Sequence, residues 1–154
     1  MKKIVLVCLL ALSFCSLSLP SFSVQAANPA SALDNKQIVK IFWNELFNKH
    51  NTTVIDTAVG DTYIQHNPTF PDGKQSFKTA VTGFLNEFPE SSAEIKHIIA
   101  EKNYVVIHNH IKLNAADRGQ AAVDIFRVED GKIVEHWDVI QDIPERSING
   151  NPMF

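Results

Sequence analysis

The stretch that decides the fold is AVDIFRVEDGKIVEHWDVIQD, residues 122–142. Two runs of alternating apolar and polar residues flank a turn at 129–131 that ends in glycine, a pattern typical of two antiparallel strands joined by a tight hairpin. Asp124, His136 and Asp138 lie inside these runs, among residues that should pack in the interior. The stretch therefore predicts a β-hairpin that carries titratable side chains.

The length of the turn decides which face of the sheet these side chains occupy. A three-residue loop at 129–131 places Asp124 opposite His136 and Ala122 opposite Asp138, so that all three titratable groups share one face. A two-residue turn would shift the register by one residue and send the two groups of the second strand to the other face. We favour the three-residue loop.

Three helices are predicted before the strands. The first begins at a capping Asp34 and ends near residues 48–51, and its apolar residues share one face: Ile38, Ile41, Phe42 and Leu46. A short second helix spans 53–58, and a third, with apolar residues from 77 to 88, stops at Pro89. Alternating segments then predict strands at 92–101, 104–113, 120–128 and 132–141. Helices followed by strands indicate an α+β fold, with helices packed on one face of an antiparallel sheet.

The first 26 residues have the pattern of a secretory signal peptide. Two lysines precede the apolar run 4–19, and a small-residue cleavage site ends at Ala26. The run is shorter than the ~20 apolar residues of a membrane span. A lipid anchor at Cys15 is the alternative, but Phe14 stands where a lipidation site prefers a small residue. We therefore expect export to the periplasm or the medium, with no membrane segment in the mature protein.

The mature chain is expected to form one domain, residues 27–154. Of the 154 residues, 128 remain after the leader is removed, enough for one hydrophobic core. Both cysteines lie in the leader, which excludes cysteine catalysis, thiolate metal sites and disulfides in the domain. The net charge of −3 becomes −5, because two lysines and no acidic residue are lost, so neither nucleic acid nor anionic lipid is an expected partner.

Several features together resemble the SnoaL-like polyketide cyclase family of the nuclear-transport-factor-2-like superfamily. They are the order of elements, the segment YIQHNP at 63–68, the hairpin, and the ending NGNPMF at 149–154. The resemblance implies a cone in which helices pack on a curved antiparallel sheet and enclose a pocket for a small molecule. It also implies homodimers formed through the open sheet face, where Ile125 and Val139 are outward candidates. This superfamily contains catalysts and non-catalytic binders, so the fold does not decide function.

The chemistry shared by cyclisation, enone isomerisation and dehydration is removal of a proton alpha to a carbonyl. A carboxylate in an apolar pocket suits this task, and neither metal nor organic cofactor is required. By resemblance, Asp138 matches the acid/base residue of the cyclases and Asp124 a pocket acid of the ketosteroid isomerases. His136 or His66 would donate a second proton, and Asp124 would stabilise an enolate or orient a histidine. The alternative is a solvated sheet face on which these charges pair with one another.

Further residues are candidates for binding a ligand. The resemblance places His66 at the pocket mouth and aligns Asn67 with the base of the isomerases, a role that an amide cannot perform, which argues against steroid-isomerase chemistry. The predicted ligand contacts are Trp43, Tyr63, Asn67, His110 and Phe126. His108 and His110 share one sheet face, which the sequence leaves undetermined, and with His136 they could form a three-histidine zinc site rather than face solvent.

Two functions from different classes remain. One is a cofactor-independent lyase or isomerase that acts on a small, apolar, enolisable carbonyl compound by general acid/base catalysis. The other is an exported binding protein that uses the same pocket without turnover. The position of Asp138 distinguishes them, because a catalyst needs that carboxylate inside the pocket.

Overall fold

The computed structural model describes the backbone of residues 29–154 and the side chains from residue 35. The elements in chain order are α1 (Pro29–Trp43), a π-helical turn (Asn44–Asn48), α2 (Val54–Ala58), β1 (Val59–Gln65), α3 (Lys74–Glu87), β2 (Ser92–Glu101), β3 (Tyr104–Lys112), β4 (Gln120–Glu129) and β5 (Lys132–Asp142). The α+β class and the four long strands are confirmed. The predicted leader and its cleavage site lie outside the described residues. Within the described part of the chain, no helix has the length and apolar character needed to cross a membrane.

The sheet is mixed, which corrects the expectation of a purely antiparallel meander. Its strand order is β1-β5-β4-β3-β2, and β1 runs parallel to β5 at one edge. No strand was predicted between the second and third helices, but Ile64 and Gln65 pair with β5, and the backbone N–H of His66 donates to the carbonyl of His136 at 2.9 Å. This added strand brings the segment YIQHNP alongside the hairpin.

One face of α1 packs on the sheet through an apolar stripe. Val39, Phe42 and Trp43 of α1 are buried and follow the spacing that places residues on one side of a helix, and the buried Leu46 continues the stripe into the π-helical turn. Ile41, predicted on this face, lies off the stripe and is 58% exposed. Asp34 lies within α1 rather than at its N-cap. The indole N–H of Trp43 donates to the carbonyl of Ala93 at 3.0 Å, which ties the end of α1 to β2.

The hydrophobic core lies between the helices and the concave face of the sheet. From α3 it receives Phe77, Val81 and Leu85, and from the strands it receives mainly β-branched and aromatic side chains: Val105, Ile107, Phe126, Val128 and Ile133. The core does not fill the whole space between the layers. A cavity remains toward the end of the sheet where β1 meets β5, bounded by α1, α3 and the inner faces of the strands.

The hairpin between β4 and β5 differs from the favoured prediction. The turn has two residues, Asp130 and Gly131, both with positive φ (48° and 73°), as a type I′ turn requires. A β-bulge then adds one residue to β5 near Val134, because Val128 pairs with Ile133 while Arg127 pairs with Glu135. The predicted register is therefore wrong by one residue next to the turn and by two residues beyond the bulge.

Because of the bulge, Asp124, His136 and Asp138 share one face of the sheet, as predicted. Beyond it, Asp124 lies opposite Asp138 and Phe126 lies opposite His136. Directly opposed residues of an antiparallel pair project to the same side, so the three titratable groups all face the helices. Without the bulge, the two-residue turn would have sent His136 and Asp138 outward.

Gly119, between β3 and β4, is expected to be essential for stability. Its φ is +82°, and a Cβ at this position would overlap the carbonyl oxygen of Ile111. We expect Gly119→Ala to lower the free energy of unfolding by about 2 kcal/mol or more, since a left-handed conformation and a backbone clash both add cost. The matched control is Gly83→Ala in α3, where a Cβ meets nothing within 4 Å. That substitution should stabilise the protein by up to about 1 kcal/mol in urea unfolding, and equal effects of the two substitutions would contradict this reasoning.

Candidate functional site

The cavity has a volume of about 160 Å³. Its wall is mainly apolar and carries seven Phe and Trp side chains: Phe42, Trp43, Phe47, Phe70, Phe77, Phe84 and Phe126. A group of polar side chains lines one side, where β1 and the residues after it meet β5: Tyr63, Gln65, Asn67, His136 and Asp138. Ser91, Ser92 and Gln120 line other parts of the wall. An apolar chamber with a few convergent polar groups is the usual form of a small-molecule site. Of the predicted ligand contacts, Trp43, Tyr63, Asn67 and Phe126 line this cavity.

The polar wall arises from alternation along YIQHNP. Tyr63, Gln65 and Asn67 are spaced by two residues and all line the cavity, as strand geometry dictates. Gln65 pairs with His136 across the parallel β1 and β5 strands. Gln65 was not among the predicted site residues, although its position midway between the predicted contacts Tyr63 and Asn67 indicates the same face of the strand.

Gln65, His136 and Asp124 form a hydrogen-bonded chain. Nδ1 of His136 lies 2.8 Å from Oε1 of Gln65, and Nε2 lies 2.9 Å from Oδ1 of Asp124. Oε1 of Gln65 also accepts the backbone N–H of Asn67 at 3.0 Å, which fixes the orientation of the amide. His136 must therefore donate from Nδ1 to Gln65, and it shares a second proton with Asp124 through Nε2.

Asp124 lies behind His136 rather than in the cavity wall. It is 3% exposed, and its Oδ2 accepts a hydrogen bond from Nδ2 of Asn109 at 2.5 Å. Burial raises the pKa of Asp124, while the hydrogen bonds from His136 and Asn109 oppose that rise. Of the two predicted roles for Asp124, this geometry fits the one that orients a histidine. Asn109 was not among the predicted site residues, which included its neighbour His110. Its alternation with the buried Val105 and Ile107 indicates that it faces the interior.

Asp138 lies in the cavity wall with its carboxylate held from one side. Nδ2 of Asn67 donates to Oδ2 of Asp138 at 2.6 Å. The amide of Asn67 is in turn oriented by Thr69, whose backbone N–H and hydroxyl both donate to Oδ1 of Asn67, at 2.8 and 2.6 Å. An amide that donates to a carboxylate holds its position without neutralising its charge. Asp138 is therefore positioned at the edge of an apolar chamber.

His66 does not belong to this site, which corrects its predicted place at the pocket mouth. It falls between the inward-facing Gln65 and Asn67, so its ring projects to the outer face of the sheet. There it stacks on Trp137, with ring centroids 4.7 Å apart, and its Nε2 lies 2.9 Å from Oε1 of Glu135. Arg127 donates to the other oxygen of Glu135 at 2.6 Å.

His110 and His108 also lie on the outer face, which corrects the predicted ligand contact. His110 stacks on Phe154, and its Nε2 is 2.9 Å from the carbonyl oxygen of Arg118. His108 pairs with His97 on the neighbouring strand. Because His136 faces inward, the three-histidine zinc site considered from the sequence cannot form.

A metal ion could be offered one ligand atom each by Asp124, His136 and Asp138, since these atoms lie within 4.8 Å of one another. In the present arrangement, the two nitrogens of His136 and the two oxygens of Asp124 are all engaged in hydrogen bonds. A metal would have to replace at least one of those bonds at each of the two residues. The arrangement as it stands holds protons, which suits acid/base chemistry.

Comparisons with known proteins agree with this architecture. The family profile described as SnoaL-like polyketide cyclase matches residues 37–145, more than half of the chain. No curated protein matches the sequence.

Solved structures with the same fold include a proposed polyketide cyclase from Bacillus cereus ATCC 10987, 21% identical with a TM-score of 0.64, covering 75% of this chain and 79% of that one. A proposed SnoaL-like polyketide cyclase from Jannaschia sp. CCS1 is 16% identical with a TM-score of 0.61, covering 75% and 90%. An LEH-like epoxide hydrolase from M. tuberculosis is 20% identical with a TM-score of 0.59, covering 71% and 84%. At these identities, the likeness establishes the fold alone.

Proposed function

The chain belongs to the SnoaL-like polyketide cyclase family, and from that premise we propose that it is a cofactor-independent lyase or isomerase acting on a small enolisable carbonyl compound. The observation that carries the proposal is the Asp138 carboxylate, placed at the polar edge of an apolar cavity and held there by Asn67. A general base needs this combination of access to the ligand and a fixed position.

In the proposed reaction, the carboxylate of Asp138 takes a proton from the carbon alpha to the carbonyl. The electrons of that C–H bond form the C=C bond of an enolate, and the carbonyl π electrons move onto the oxygen. Return of the proton from Asp138 to a different carbon gives an isomer. Alternatively, the enolate carbon adds to a second carbonyl group and forms a new C–C bond while the π bond of that carbonyl breaks. The resulting alkoxide oxygen takes the proton from Asp138, which completes an aldol cyclisation.

His136 and Asp124 would act together as a proton-sharing pair at the cavity wall. Both nitrogens of His136 are engaged, by Gln65 and by Asp124, so neither N–H is directed at a ligand. His136 nevertheless lines the cavity, where the proton that it shares with Asp124 would help to stabilise the negative charge that develops on the enolate. Asp124, which does not line the cavity, is a positioning residue in this scheme.

The alternative is a binding protein with the same cavity and no turnover. A hydrogen–deuterium exchange assay distinguishes the two functions. Proton NMR would follow the exchange of the alpha protons of ketones dissolved in D₂O. The proposal expects the protein to accelerate exchange above the rate in buffer. A ketone that is bound, by chemical-shift titration, yet shows no accelerated exchange would identify a binder instead.

We also propose that residues 1–26 direct export and are removed after Ala26. The proposal rests on the basic, apolar and small-residue segments of that stretch. Mass spectrometry of the protein recovered from its native compartment would give the mature amino terminus. An intact Met1 on the exported protein would contradict cleavage.

We further propose a homodimer formed through the outer face of the sheet. Several apolar side chains on this face are exposed, among them Val139 at 73% and Ile99 at 66%, and a second copy would remove them from water. Light scattering at micromolar concentration should give the mass of a dimer, and Val139→Lys should give a monomer. Ile41→Lys, at an exposed site on α1, is the control that should leave the mass unchanged. A monomeric wild type would end this proposal.

A further inference from the structure

We propose that the ligand of this cavity is a neutral, one-ring carbonyl compound whose oxygen accepts a hydrogen bond from the Tyr63 hydroxyl. The inference rests on the proposed function and specifies the substrate class of the same site. It depends on the size of the chamber, its charge, and a buried hydroxyl proton that no described residue accepts.

The size of the cavity sets the size of the ligand. Its volume is about 160 Å³. An engineered apolar cavity of about 150 Å³ in another protein binds benzene, so this chamber suits one six-membered ring and not three fused rings. Its walls are held in place, because the indole of Trp43 donates to the carbonyl of Ala93 and Phe126 packs edge-on against Trp43 at 6.0 Å. The chamber therefore cannot widen by a simple rotation of Trp43.

The charge of the cavity selects a neutral ligand. No lysine or arginine is among the lining residues, and Asp138 lines the wall with Asp124 directly behind His136. A ligand carboxylate or phosphate would meet two carboxyl groups and a single imidazole in an apolar setting, where like charges repel strongly. A neutral ketone or aldehyde avoids that repulsion.

Tyr63 supplies a hydrogen-bond donor that lacks an acceptor. Because Oε1 of Gln65 is taken by the Asn67 N–H, its Nε2 must face Tyr63, and it donates to the Tyr63 oxygen at 3.1 Å. Among the described residues this is the hydroxyl's only hydrogen bond, so its own proton is not accepted. Burial and the nearby charges of Asp124 and Asp138 raise the pKa of Tyr63, so the hydroxyl keeps that proton.

The missing acceptor is best supplied by the ligand. Tyr63 is 4% exposed and lines the cavity on the same polar wall as Asp138. A buried donor without an acceptor is costly, and a carbonyl oxygen in the chamber would satisfy it. The same hydrogen bond strengthens when that oxygen gains negative charge, which links recognition of the carbonyl to the proposed enolisation.

The test is a binding comparison that needs no turnover. Chemical-shift titrations would use cyclohexanone, methylenecyclohexane, cyclohexanecarboxylate and the three-ring ketone anthrone. We expect cyclohexanone to bind. Cyclohexanecarboxylate should bind more weakly by about ten-fold or more, which corresponds to one unfavourable contact between like charges. Anthrone should not displace cyclohexanone. Anthrone binding at the expense of cyclohexanone would overturn the size argument, and equal affinity of the carboxylate would overturn the charge argument.

The role of Tyr63 is tested by Tyr63→Phe. Loss of one hydrogen bond should weaken cyclohexanone binding roughly 2- to 10-fold and leave methylenecyclohexane, which has the same shape but no acceptor, unchanged. Tyr104→Phe, at the exposed tyrosine, should change neither. Equal losses for both ligands would show a packing defect and would contradict the assignment of Tyr63.

The outcomes also distinguish this inference from the proposed function. Cyclohexanone that binds as expected but shows no accelerated exchange would count against the proposed function alone. Accelerated exchange of anthrone but not of cyclohexanone would count against this inference alone.

Discussion

Asp138→Asn should lower the rate of protein-catalysed alpha-proton exchange by about 10² to 10⁴, the range typical of general acid/base catalysis. An amide cannot take up the proton, but it has the shape of the carboxylate, and its oxygen can still accept the hydrogen bond from Asn67. The cavity should therefore keep its form. Ketone binding in a chemical-shift titration should change little, so the loss should appear in the rate of the chemical step.

The matched control for this substitution is Asp142→Asn. Asp142 is an exposed acid on the same strand, and it accepts a hydrogen bond from Gln120 at 2.7 Å. Asp142 does not line the cavity, and the amide oxygen of Asn at this position can still accept the hydrogen bond from Gln120. The substitution therefore removes the same charge and should leave the exchange rate unchanged. An Asp138→Asn variant with wild-type exchange would remove Asp138 from the mechanism, and a loss equal in both variants would point to net charge instead.

Local patterns in the sequence were sufficient to predict the α+β class and the four long strands. Alternation marked the four long strands, the short second helix ended at Ala58 as predicted, and the third helix ended before Pro89. The short strand β1 was not predicted, because it is held by its partner β5 rather than by its own residues, and parallel pairing leaves no hairpin signal. A strand of this kind is visible only once its neighbour is in place.

The hairpin shows how far local rules reach into the site. An Asp-Gly pair is the strongest signal for a two-residue turn, and that turn formed. The bulge near Val134 then restored the inward direction of His136 and Asp138. Bulges depend on the packing of the finished sheet, so the correct face was predicted through a register that did not form.

The predicted site residues divided according to the same alternation. Tyr63 and Asn67 line the cavity, whereas His66 between them faces out. His66 was predicted in the site because an imidazole can transfer protons, although strand alternation places it on the face opposite to Asn67. Gln65 and Asn109 are neutral amides, which rarely attract attention as site residues. In this structure each orients a titratable group, Gln65 at His136 and Asn109 at Asp124.

Asp124→Ala should lower the free energy of unfolding by about 3 to 5 kcal/mol, the usual loss when one partner of a buried ion pair or its equivalent is removed. The substitution leaves Nε2 of His136 and Nδ2 of Asn109 without their acceptors, in a region where the Asp124 side chain is almost fully buried. The desolvation of both donors is then uncompensated. Urea unfolding, followed by circular dichroism, would measure the loss.

Two further variants test whether the loss of stability in Asp124→Ala comes from its buried hydrogen bonds or from the removal of any acidic side chain. Asp61→Ala removes a fully exposed carboxylate that lies 3.3 Å from Nζ of Lys74, and it should leave the urea midpoint nearly unchanged, because exposed ion pairs contribute little to stability. Asp124→Asn keeps the shape and one acceptor oxygen, so its loss should fall between those of the two alanine variants. If Asp124→Ala cost no more than Asp61→Ala, the hydrogen bonds of Asp124 would contribute nothing net to folding. The rigid positioning of His136, on which the proposed stabilisation of the enolate depends, would then lack its support.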